Sequence, residues 1–131
     1  MKQIIIDILP LKDIRFNDVG DYQDEVDGVR HIQVADMSDI ADEMTAADYE
    51  LMVAVHEMIE SHMLFKRGVK TAVVDAWDAT DAGADDPACP YHREHVKATM
   101  VEECLCSMLG IDWLEYDTFI QRCCDGNSLP E

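Results

Sequence analysis

The run from Thr45 to Arg67 constrains this chain more than any other segment, because it reads as one long amphipathic helix. Thr45 fits the N-cap, with Asp48 three residues on as its capping partner. Lys66 and Arg67 suit the negative end of the helix dipole, and Gly68 suits the left-handed position that follows. At about 100° per residue, Leu51, Met52, Val55, Met58, Ile59 and Met63 form an apolar arc. His56 and Glu60, spaced i, i+4, project together on the flank of that arc, with Val53 and Leu64 beyond them. Glu57 falls further round, toward the polar side with Glu50 and Ser61.

A second long helix is expected from about Pro90, acceptable in a first turn, to Leu109, with Gly110 as its stop. Its apolar stripe runs through Tyr91, Ala98, Leu105 and Leu109. His95 and Glu102 lie inside that stripe, about 20° apart in projection. Arg93, Lys97 and Glu103 lie elsewhere, and Ala98 leaves room between the two polar groups.

The remaining elements follow from turn and strand signals. Residues 2–9 read as a strand stopped by Pro10. Residues 21–26 and 29–36 read as a hairpin around Asp27-Gly28, a pair suited to a type I′ loop. Val29 falls out of phase with Ile32 and Val34, which points to a bulge. Residues 13–20 are expected to be irregular or an edge. A short helix is expected over 71–78, then an acidic loop with Asp81, Asp85 and Asp86. A last helix over 112–124 should bury Trp113, Tyr116 or Phe119, and Ile120. Strands first and helices afterwards make the class α+β: a small antiparallel sheet packed on two long helices.

With 131 residues the chain fits one domain. No apolar run reaches the ~18 residues of a membrane span. The apolar start, Ile4 to Ile6, is too short for a secretory leader. The expectation is therefore a soluble cytoplasmic protein with no membrane partner. Ten basic against 28 acidic residues give a net charge of −18. Such a balance argues against nucleic-acid phosphates as partners and suits a cation or a basic protein. The five cysteines, an odd number spaced CxC and CC, read as reduced thiols rather than a zinc ribbon.

A carboxylate and an imidazole on an apolar face are costly unless paired or metal-bound. Here two helices carry that anomaly. Packed antiparallel, they would bring His56, Glu60, His95 and Glu102 together around one divalent ion. His95 and Glu102 are about 10 Å apart along their helix, too far for both to bind it comfortably. One of them would then support a ligand rather than be one. The competing account is a core hydrogen-bond network with no ion.

The run Val53 to Glu60, with His56-Glu57-x-x-Glu60 inside it, resembles the active helix of zincin metallopeptidases, whose motif is HExxH. The resemblance implies His56 and Glu60 as ligands, Glu57 as general base, Glu102 or His95 as the third ligand, and a hydrolase acting on peptide or amide bonds. Glu60 stands where the family has a histidine. A carboxylate there weakens the Lewis acidity of the ion and widens the choice of metal from zinc to manganese, iron or magnesium. The motif, with Asp75, Asp78, Glu94 and His95, also resembles small uncharacterised phage and prophage proteins, which places the chain in a bacterial or phage-infected cell. Two other readings remain. Glu57, Glu60, Asp75 and Asp78 resemble the magnesium sites of MazG-type nucleotide pyrophosphohydrolases. The acidity alone would suit a non-catalytic phage-type interaction protein.

Overall fold

The computed structural model describes residues 1–125. Among them, β1 (Gln3–Pro10), β2 (Gly20–Tyr22) and β3 (Val29–Asp36) precede α1 (Glu43–Arg67), α2 (Thr71–Asp78), α3 (His92–Leu109) and α4 (Trp113–Cys124). The fold is α+β.

The sheet is mixed, in the order β1-β3-β2. β2 and β3 are antiparallel, with Tyr22 opposite Ile32. Asp27 and Gly28 both take positive φ, 52° and 79°, in the two-residue loop that closes the Val26–Val29 bridge. Residues 23–25 stand opposite residues 30 and 31, so the anomalous phase of Val29 is resolved by a bulge. The expectation of a wholly antiparallel sheet fails at β1, which runs parallel to β3 from Gln3–Val29 to Pro10–Asp36. Residues 11–28 supply the crossover that parallel strands need. They pass through one helical turn, Leu11–Asp13, and a left-handed turn at Phe16 and Asn17, and reach β2 on the opposite edge of the sheet.

α1 begins two residues before Thr45. Asp42 is the cap, accepting hydrogen bonds from the Thr45 amide at 3.0 Å and the Thr45 hydroxyl at 2.7 Å. The helix ends as read, with Gly68 left-handed at φ 75°. Pro90 lies in the turn before α3, and its carbonyl accepts from Arg67.

α1 packs over β3 and β2, and α3 packs on α1. The α1–α3 pair is antiparallel, as the contacts Met52–Cys106, His56–Glu102 and Arg67–Glu94 require. The face that α1 buries is rotated from the expected arc. Tyr49, Met52, Val53, His56, Glu57, Glu60 and Leu64 are buried, whereas Leu51 is 46% exposed. α3 likewise buries Glu94, Ala98, Glu102 and Cys106, and leaves Leu109 exposed. α4 buries Tyr116 and Cys123, capped by Asp112. Ile4, Ile6 and Ile8 of β1 pair with Arg30, Ile32 and Val34 yet remain exposed, because α1 lies over the other two strands. Among the described residues no helix is long and apolar enough to cross a membrane.

The rotation makes neighbouring residues differ. Met52 is fully buried against Cys106, so Met52→Ala should lower the unfolding free energy by about 2–5 kcal/mol. Leu51→Ala should change it by no more than about 0.5 kcal/mol. Urea unfolding of both variants checks this, and equal losses would place Leu51 in the core instead.

Candidate metal centre

The fold brings the two His/Glu helices together as their sequence suggested, with a division of labour among the four groups. His56 lies in the α1–α3 seam with a carboxylate on each ring nitrogen. Its Nε2 is 2.8 Å from Glu60 Oε2, and its Nδ1 meets Glu102 of α3. His95 turns its Nδ1 toward the same Glu60 oxygen, at 3.3 Å. The two imidazoles meet edge to face, with ring centres 4.9 Å apart. His56, Glu60 and His95 each place one donor atom within 4.8 Å of the others, and this cluster could hold a divalent metal ion.

The donor set fits such an ion. Bonds of about 2.0–2.1 Å in a tetrahedral site put neighbouring donors about 3.3 Å apart. The spacings of 2.8 and 3.3 Å around Glu60 Oε2 lie near that value, and the third side of the trio lies within 4.8 Å. Glu102 approaches the ring nitrogen of His56 that faces away from Glu60, where it fixes the tautomer and orientation of the imidazole. Asp85 stands 3.6 Å from the corresponding nitrogen of His95.

Two tyrosines, unmarked by the sequence reading as site residues, complete the cluster. The Tyr22 hydroxyl from β2 donates to Glu60 Oε1 at 2.7 Å, and the Tyr116 hydroxyl from α4 donates to Glu102 Oε2 at 2.5 Å. Burial, reinforced by the adjoining carboxylates, pushes both phenols far up, so they act as neutral donors.

The electrostatics follow from burial and pairing. Burial works against the His56 imidazolium, yet the hydrogen bonds to Glu102 and Glu60 outweigh it and hold its pKa well above the usual histidine value. Burial also works to raise Glu60, but the hydrogen bonds from His56 and His95 bring its pKa down to about 2. A proton on His56 thus occupies the position a metal ion would take.

Glu57 is where the sequence reading and the fold part company. It is 8% exposed rather than solvent-facing, yet its side chain lines the cavity beside the cluster. Burial, followed by the charge of Glu60, pushes its carboxyl well above the usual range. Gly20 of β2 makes room for it: a Cβ there would stand 2.7 Å from Glu57 Oε1. Asp18, another residue the sequence reading missed, enters the cavity from the loop before β2. That loop holds Phe16 and Asn17 at positive φ, 61° and 52°. Asp18 accepts from the Val19 amide at 2.7 Å, and burial raises its pKa.

The remaining candidates lie apart from the cluster. Asp75 is held by Arg15 at 3.0 Å, together with Asp21. Asp78 accepts from the Tyr91 hydroxyl, and burial pushes it up to about 6. The five cysteines are free, and none joins the donor cluster. Family models, characterised proteins and solved structures give no match to the chain.

The tyrosine supports give a direct prediction. Tyr116→Phe leaves a buried Glu102 oxygen without its donor, so it should lower the unfolding free energy by about 1–3 kcal/mol. Denaturant titration measures it. A change near zero would mean that Glu102 finds another partner or is not desolvated.

Proposed function

We propose that the chain is a divalent-metal-binding protein, with zinc the best-suited ion, and a zincin-like hydrolase of peptide or amide bonds. The observation that carries the metal reading is the convergence of His56, Glu60 and His95, with Glu102 behind His56. Manganese, iron and magnesium also accept this mixed nitrogen and oxygen set. A divalent ion held there supplies Lewis acidity and lowers the pKa of water.

The roles of the side chains follow from their places. His56, Glu60 and His95 hold the ion. Glu102 and Tyr116 orient His56, and Tyr22 orients Glu60. Glu57 takes the proton of the attacking water. Its place on the cavity wall beside the cluster gives it access to a substrate held there. The pyrophosphohydrolase reading is less well supported, because Asp75 is engaged by Arg15 and, among the described residues, no lysine or arginine lines the cavity to hold phosphates.

An ion bound only by the folded chain stabilises it by mass action. Chelation of the zinc-loaded protein should therefore lower its melting temperature, and His56→Ala should remove that response. Identical melting curves with and without chelator, on protein shown to contain zinc, would contradict the metal assignment. Glu57→Gln should keep the ion and the fold but lose about 10²–10⁴-fold in hydrolysis of a peptide and amide panel. Release of zinc by Glu57→Gln as readily as by Glu60→Gln would make Glu57 a ligand and end its role as base.

A further inference from the structure

β1 is an edge strand whose outer side is open. Among the described residues it pairs with β3 alone. The Gln3 amide donates to the Gly28 carbonyl at 3.2 Å, in step with Gln3 lying opposite Val29. In a parallel ladder, alternate residues turn both backbone groups toward the same neighbour, so residues 3, 5, 7 and 9 bond β3. The N–H and C=O groups of Ile4, Ile6 and Ile8 therefore point out from the sheet edge. Edge strands are usually blunted by a charge, a bulge or a proline at such positions. Here three isoleucines occupy them, and only the next outward residue, Pro10, ends the row.

Their side chains form an apolar strip. Ile4, Ile6 and Ile8 stand beside Arg30, Ile32 and Val34 on the face that α1 covers, yet they are 39, 40 and 48% exposed. Next to them α1 carries Leu51, Met58 and Phe65 at intervals of about two turns, and Leu51 and Phe65 are exposed. The Arg30 guanidinium lies 5.3 Å from the Phe65 ring centre, which sets Phe65 beside the Ile4 end of β1. The strand is about 26 Å long, and the strip from its edge to the α1 flank is about 20 Å wide. That is on the order of 500 Å² per copy, or about 1,000 Å² for two, the size at which specific interfaces begin.

The strand is self-complementary about Ile6. Antiparallel pairing of two copies there puts Ile4 opposite Ile8 and Ile6 opposite itself, so all three outward residues exchange hydrogen bonds. Pro10, which has no N–H, falls at the end of the ladder opposite Lys2. Asp7, the one charge within β1, falls opposite Ile5, so no like charges are directly opposed. We propose that β1 pairs edge to edge with β1 of a second copy, joining two three-stranded sheets into one of six strands. Six isoleucines then form one floor between the two α1 flanks. The pairing is independent of the metal site and of any reaction.

The test is sedimentation equilibrium of the full chain from about 1 to about 500 µM, with and without zinc, at low and high salt. A dimer should form toward the upper end, zinc or not. Added salt should strengthen it, because the contact is apolar and each copy carries a net charge of −18. Ile6→Lys should weaken it at least about tenfold, whereas Met108→Lys, at an 80% exposed position on α3, should not. Should Ile6→Lys fail to fold, Ile8→Lys reads the same loss. Amide hydrogen exchange locates the contact: protection of Ile4, Ile6 and Ile8 should rise with protein concentration, while that of Ile5 and Asp7 should not. A chain monomeric at every concentration overturns the proposal, as does a dimer that needs zinc or dissolves in salt. A dimer that survives both lysine variants of β1 overturns the assignment to this edge.

Discussion

The structure depends on one buried imidazole held between two carboxylates. His56 meets Glu60 on its own helix and Glu102 on the next, in the seam where α1 and α3 cross the middle of the fold. Each of these groups would be costly to bury alone. Their mutual pairing sets the antiparallel register of the two helices. It also recruits β2 through Tyr22 and α4 through Tyr116. The sheet, the helix pair and the last helix all contribute a side chain to this one cluster. The polar centre is therefore as much a packing constraint as a site.

Much of this was legible from local chemistry. The C-terminal end of α1 at Gly68, the span of α4, the Asp27-Gly28 loop and the bulge beyond it follow from turn residues, helical pattern and strand phase, whereas the start of α1 lies at Asp42 rather than Thr45. The meeting of His56 and Glu60 with His95 and Glu102 followed from two polar pairs on otherwise apolar faces. The direction of β1 was not legible, because it depends on the path of residues 11–28 across the sheet rather than on any property of β1 itself.

The buried face of α1 was misjudged for a physical reason. Periodicity finds apolar residues, but α1 turns His56, Glu57 and Glu60 inward, where pairing or a cavity accommodates them. Part of its apolar arc, at Leu51, is left in the open. Glu57 therefore looked solvent-facing and is not. Tyr22 and Tyr116 could not have been found either, since they reach Glu60 and Glu102 across 38 and 14 residues with no local signal. Asp18 depends on two left-handed residues, Phe16 and Asn17, that no turn motif announces.

The central claim is that His56, Glu60 and His95 hold a divalent ion, and zinc K-edge X-ray absorption on the zinc-loaded protein tests it most directly. A site of two imidazoles and a carboxylate predicts only nitrogen and oxygen neighbours at about 2.0–2.2 Å, with the outer-shell scattering of histidine rings. His95→Ala should reduce that ring signal. A sulfur neighbour at about 2.3 Å would place the ion on the cysteines and contradict the account. So would a folded protein that retains no zinc to measure.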